Sequence, residues 1–204
     1  MRIPMERKTI FVFIFCFSWL TLTHTEPIPG NKVQNIIDTS TITRTQKPLA
    51  VRTDSRTLEY FINHVEELTK HGRDFSRKEL ILEVKGVDRY GIQIPSKHIT
   101  GEFELVERSP CNVIYLGHGN ATTFFNFSGS IVLVVDYTTQ NDTTGTYENV
   151  TTTVHLKFDN IFLAVLAKAA IPILNHRLDN LINKFSTKTK KVVEAAYAQK
   201  KTAQ

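Results

Sequence analysis

Apolar and polar residues alternate over long stretches in the middle of this chain, and then the period changes. From His98 to Arg108 the positions Ile99, Phe103 and Leu105 are apolar, whereas His98, Thr100, Glu102, Glu104 and Arg108 are polar, the pattern of a half-buried strand. The same reasoning predicts strands near Leu80–Lys85, Gly91–Ile94, Val113–Leu116, Ala121–Phe127, Ile131–Thr138 and Tyr147–Phe158. Ser109-Pro110, Gly117 to Asn120, Ser128-Gly129 and Gln140 to Gly145 carry turn-forming residues, so strands joined by them make an antiparallel meander. From Ile171 onward Leu174, Leu178, Leu181, Ile182, Phe185, Val192, Val193 and Ala196 fall along one side of a helix. A shorter stripe, Leu58, Phe61, Ile62, Val65 and Leu68, predicts a helix over Arg56 to Lys70 that His71-Gly72 stops. The class is α+β, and the long helical stripe needs the sheet's apolar face as its partner.

The N-terminus has a different character. Arg2, Arg7 and Lys8 precede an unbroken apolar run from Ile10 to Leu20, which is too short to span a bilayer and reads as a secretory signal peptide over residues 1–25, cut before Glu26. Residues 26–55, with Pro27, Pro29, Gly30 and the threonine-rich stretch Thr39 to Thr45, read as a flexible leader without a core of its own. A single domain over 56–201 follows. Ile161 to Ile173 is interrupted by Lys168 and Pro172, so it is no membrane anchor, and the expected product is secreted and extracellular.

Four acceptor sites fit that route: Asn120-Ala-Thr122, Asn126-Phe-Ser128, Asn141-Asp-Thr143 and Asn149-Val-Thr151. They also orient strands, because a glycan faces water. With Asn149 outward, Thr151, Thr153, His155 and Lys157 share its face and Val150, Thr152, Val154, Leu156 and Phe158 point inward. Asn126 outward sends Phe125 and Phe127 inward by the same parity.

Charge excludes little. Removing Arg2, Arg7 and Lys8 against Glu6 lowers the formal +5 by two, too small a balance to argue for nucleic acid. The excess is local, with Lys184, Lys188, Lys190, Lys191, Lys200 and Lys201 crowding the last helix against Glu194. They are either a solvated face that answers the helix dipole or a patch for an anionic membrane through Lys188, Lys190 and Lys191. Once Cys16 leaves with the signal segment, Cys111 is alone, either a small buried residue or the link of a disulfide dimer. His64, His71, His98, His118, His155 and His176 are scattered without metal-ligand spacing. Ser128-Gly-Ser130 is not a nucleophile elbow. No enzyme, metal or cofactor is expected.

The order of elements, with Ile99-Thr-Gly-Glu-Phe-Glu-Leu-Val-Glu-Arg-Ser109, the Gly-Asn-Ala-Thr turn at Gly119 to Thr122 and Ile131-Val-Leu-Val-Val-Asp-Tyr137, resembles a single-module TULIP protein. That superfamily includes the group-seven mite allergens and the takeout-like proteins, and the likeness covers about Leu58 to Tyr197. The takeout branch has an N-terminal disulfide that this chain cannot form, which points to the allergen-like branch. The resemblance implies a curved antiparallel sheet wrapped around the C-terminal amphipathic helix, with a groove for a lipid or other hydrophobic molecule. Ile99, Phe103, Leu105, Phe125, Phe127, Leu133, Val135, Val154 and Leu156 on the sheet and Leu174, Leu178, Leu181 and Phe185 on the helix would line it. The same residues could equally fill the space as an ordinary core. Two other functions follow from the residues: an interaction or structural glycoprotein, such as a salivary or immune component, and a membrane- or lipopolysaccharide-binding module using the lysine-rich helix.

Overall fold

The computed structural model describes residues 29–71, 75, 79–122, 126–160 and 171–202. The signal-peptide reading and Phe125 lie outside these residues. The element order is α1 (Pro29–Asp38), β1 (Ile42–Thr45), β2 (Leu49–Val51), α2 (Ser55–Asn63), α3 (Glu67–His71), β3 (Ile81–Gly86), β4 (Arg89–Ile94), β5 (Ile99–Ser109), β6 (Asn112–Thr122), β7 (Asn126–Asp142), β8 (Gly145–Phe158) and α4 (Ile171–Thr202). β3 to β8 form a meander in which each strand pairs antiparallel with the next, and β1 and β2 close the far edge against β8.

Residues 29–55 of the stretch taken for a flexible leader are part of the fold. Val33, Ile36 and Ile37 sit at helical spacing in α1 and pack on Leu116, Val132, Ile114 and Val134, on the sheet face opposite α4. Three apolar residues in a polar stretch give a weak signal, yet Val33 and Ile36 are buried. β1 and β2 then gain ladder hydrogen bonds from β8, which local composition cannot reveal.

The single helix expected over Arg56 to Lys70 is two. Asp54 caps α2, accepting from the Thr57 backbone N–H at 2.7 Å. The chain leaves the helix at His64 (φ −131°, ψ 64°) and α3 restarts at Glu67. The break lets Leu58 and Phe61 of α2 and Leu68 of α3 reach one core with Val51, Leu80, Ile94, Tyr137, Val192 and Val193. Three tyrosines rising from the sheet bind α2: Tyr137 to Glu59 Oε1 (3.3 Å), Tyr115 to the Ile62 carbonyl (2.8 Å) and Tyr90 to the Asn63 carbonyl (3.0 Å). The last two satisfy carbonyls that a helix end leaves without partners.

Glycines account for the largest difference from the expected strand boundaries. Gly117 to Asn120 and Ser128-Gly129, taken for connections, lie inside β6 and β7, and Val113–Leu116 and Ala121 belong to one strand. In register Gly101, Gly119 and Gly129 stand side by side across β5, β6 and β7. A Cβ at Gly101 would lie 2.7 Å from the His118 carbonyl oxygen, one at Gly119 2.7 Å from that of Thr100, and one at Gly129 2.7 Å from that of Lys157. The sheet therefore bends along a seam where no side chain fits, and the bend makes the face towards α4 concave.

Candidate ligand groove

Register sets out the concave face row by row. Leu105, Tyr115, Leu133, Val154 and Arg44 form one cross-strand row, and Phe103, Gly117, Ile131, Leu156 and Ile42 the next. The glycine seam follows, ending at Phe158, and beyond it come Ile99, Ala121 and Phe127. The parity deduced from Asn149 is thus the one observed for β8. The floor is bare backbone at the seam, with aromatic rings on either side: Phe127 and Phe158 are 5.9 Å apart by ring centroids, and Phe103 lies 5.2 Å from Tyr90 and 5.8 Å from Tyr115.

The helix α4 is not gripped evenly. Towards its C-terminal half Val192 and Val193 are buried at 4% and 1% exposure among α2, β2 and Tyr137. Towards its start Leu174, Leu178, Leu181 and Phe185 are only half-buried. The concave-face residues Ile99, Phe103, Leu105, Phe127, Leu133, Val135 and Leu156 are half-buried too, and among the expected lining Val154 alone is fully buried in the described residues. Leu181, Phe185 and Ile99 nevertheless pack against the main core, with Phe185 stacked on Phe75 at 6.0 Å, so these three support the fold.

Polar groups mark the rim. Arg44, pointing to the concave side from β1, is held bidentately by Asp179 of α4 (Nε to Oδ1 2.7 Å, Nη2 to Oδ2 2.5 Å), and this hydrogen-bonded pairing holds the Asp179 carboxyl below the usual range. Ser186 donates to Gln46 Oε1 at 2.7 Å on the same side of the helix. By helical periodicity Asn175 shares that side, and its Oδ1 is buried without a hydrogen-bond partner. The Tyr115 hydroxyl is pushed well above its ordinary value by burial, so it stays a proton donor to α2.

The basic stripe is largely engaged. Lys184 binds Glu79 Oε1 at 2.7 Å and Lys188 binds Glu79 Oε2 while lying over the Phe75 ring, Lys190 lies 3.7 Å from Glu194, and Lys200 lies 3.8 Å from Asp54. Lys191 is exposed. Cys111 is exposed in the β5–β6 turn at φ 66°, not a buried residue. Asn120, Asn126 and Asn141 are exposed and Asn149, beside Ala50 of β2, is half-buried.

Two open hollows lie outside the concavity. One of about 310 Å³ is lined by Asp54, Ser55, Arg56, Tyr197, Lys200 and Lys201, and one of about 260 Å³ lies on the face opposite α4 over β3 to β6. On that outer face His118 Nε2 lies 2.9 Å from Asp159 Oδ2, and Ser128 donates to the same oxygen. Because the serine proton goes to the carboxylate and not to the imidazole, 3.4 Å away, the three do not form a nucleophile relay. Among the described residues no group of three or more His, Cys, Asp or Glu is placed to hold a metal ion, and no helix is long and apolar enough to cross a membrane.

No family model matches the chain and no curated protein matches it. Solved structures do match. A conserved protein from Geobacillus kaustophilus superposes with a TM-score of 0.56 at 16% identity, over 76% of this chain and 97% of that one. A hypothetical protein from Helicobacter pylori gives 0.45 at 11% identity over 78% and 89%. The di-domain ARO/CYC BexL of the BE-7585A biosynthetic pathway gives 0.47 at 12% over 80% and 53%. The first of these is similar to this chain in fold: a bent antiparallel sheet with a helix against it.

Proposed function

We propose that this protein is a secreted glycoprotein that holds a hydrophobic small molecule between the concave sheet face and the first half of α4. One observation carries the reading. Apolar side chains of a closed core are normally buried, yet Leu174 and Leu178 on the helix and Leu133, Val135, Leu156 and Phe127 on the sheet keep part of their surface exposed. An acyl chain laid there gains about 0.8 kcal/mol for each methylene removed from water. The bent sheet and long helix also support the resemblance to the TULIP superfamily, which we retain as part of the proposal.

The test uses protein purified from a secreting host. Extraction with organic solvent and mass spectrometry should find a lipid in stoichiometric amount, and the emptied protein should take up a fluorescent fatty acid. Neither result leaves the carrier reading standing if both are negative.

A second reading is an interaction glycoprotein with a filled core. It is favoured by Leu181, Phe185 and Ile99, which pack against the main core. It predicts no extractable ligand and no uptake. Attachment to anionic membranes is a weaker proposal, because Lys188 and Lys190 already have acidic partners, and a Cys111-linked dimer rests on the exposure of Cys111 alone. Salt-sensitive vesicle binding lost on converting Lys188, Lys190 and Lys191 to Gln would support the first, and a band that halves in mass on reduction would support the second.

A further inference from the structure

We infer that the hollow of about 260 Å³ on the outer sheet face is the seat of the chain's own N-linked sugar, attached at Asn120. The inference rests on the glycoprotein reading above. Asn120 lines this hollow together with Glu83, Lys85, Gln93, Thr100 and Glu102, over a floor that includes Gly91. α1 packs on this face at Val106, Leu116 and Val132, none of which lines the hollow. The lining consists mainly of hydroxyl, amide, carboxylate and ammonium groups, which match sugar hydroxyls and an acetamido group and give an acyl chain little to gain.

The hollow is open and below the 300–1,000 Å³ usual for a site that holds a free ligand. A tethered ligand does not need such a site, because a short covalent link raises its effective concentration to about the millimolar range. The link forms when Asn120 Nδ2 bonds to C1 of a sugar carried on a lipid pyrophosphate, with loss of the amide proton and departure of the pyrophosphate. Register supplies a second constraint. Asn120 pairs with Ser128 and Thr122 with Asn126, so the two acceptor sites lie head to tail on neighbouring strands and share the outer face. Their asparagines are diagonal neighbours, roughly 7–8 Å apart. A glycan on Asn126 therefore flanks the one on Asn120 and leaves it the side towards β5 and β4, where the hollow lies.

Lys85 reports the seat. Its stem lies over Gly91, where an added Cβ would come within 2.8 Å of Lys85 Cε, and its ammonium group lies 2.9 Å from Glu83. The experiment labels lysines on the intact secreted glycoprotein with an amine-reactive reagent and reads each site by peptide mass spectrometry, alongside glycan occupancy. Asn120 should be occupied. Lys85 labelling should rise several-fold in Asn120→Gln and in Thr122→Ala, while exposed Lys191 on α4 labels equally in all three. Trimming the glycan to its first sugar should keep Lys85 protected. An occupied Asn120 with Lys85 labelled as in the variants overturns the seat and leaves the glycoprotein reading intact. Occupancy at the other sites but not at Asn120 also overturns the seat, and a chain without any glycan overturns both.

Discussion

The hydroxyl of Thr139 donates at 2.8 Å to Oε1 of Glu148, a side chain with no exposed surface. Oε2 of the same carboxyl is buried and unpartnered. The group lies where β2, β7 and β8 meet, opposite Val51, with Glu59 and Asp54 of the α2 end as its charged neighbours.

Burial, reinforced by those two carboxylates, raises the Glu148 pKa above its ordinary value of 4.5. A carboxyl whose folded pKa is raised binds its proton more tightly when folded, so its contribution to stability is complete below the unfolded value and is lost as pH rises through the folded one. Stability measured by thermal melting should therefore fall from about pH 4.5 upward, on account of this group. Glu148→Gln should flatten that slope and be more stable than the parent at neutral pH by about 1–3 kcal/mol, the usual cost of an unsatisfied buried group. A variant that melts like the parent across the range would show that the carboxyl is solvated.

The glycine seam gives a sharper mutational test. Gly119→Ala places a Cβ 2.7 Å from the Thr100 carbonyl oxygen and 3.2 Å from Gly101 Cα, both backbone atoms that cannot swing away. A loss of about 1–3 kcal/mol is expected, typical of overpacking. Gly30→Ala, at the start of α1 with nothing within 4 Å, should be neutral or slightly stabilising through the unfolded chain. Equal effects of the two substitutions in chemical denaturation would remove the bend as the reason for Gly119.

These glycines also explain how much could be read from the chain. Alternation placed β4, β5 and β8 within a few residues and oriented β8 correctly, because a half-buried strand is a local signal. Gly117, Gly119 and Gly129 suggested turns since glycine is commonest there, whereas here they mark close approach of three strands, a long-range fact. A glycine recurring within otherwise alternating segments was the available clue. α1 and β1 escaped notice because their stability comes from Leu116, Val132 and the β8 ladder rather than from their own residues. Of the concave face, the positions of Leu133 and Val135 were legible from periodicity. The Arg44–Asp179 clamp, the split of the first helix and the burial of Glu148 depend on residues far apart in sequence and were not.

Glu79 shows the opposite pH behaviour to Glu148. Hydrogen bonds from Lys184 and then Lys188 hold its carboxyl down at about 2, against an ordinary 4.5. A depressed folded pKa gives stability that is present above the unfolded value and lost as pH falls through the folded one. The contribution should disappear between about pH 4.5 and about pH 2. Glu79→Gln should flatten the acid limb of the melting curve and increase salt-dependent adsorption to anionic vesicles, since the carboxylate that offsets the charge of Lys184 and Lys188 is removed. An unchanged acid limb would mean that the exposed pairs are screened in solution.

Filling the groove separates ligand binding from folding. Leu178→Trp or Leu133→Trp adds bulk where the parent side chains are only half-buried, so thermal stability should be kept while fatty-acid uptake falls several-fold. Phe61→Ala acts on the other end of the molecule. Phe61 is 4% exposed among Leu58, Val192 and Val193, and its removal should cost about 3–5 kcal/mol. At temperatures where that variant remains folded its uptake should match the parent's, because the groove lies at the start of α4 and the core at its far half. If the tryptophan variants unfold as badly as Phe61→Ala, the space beside Leu178 and Leu133 is already occupied, and the filled-core reading takes the place of the carrier.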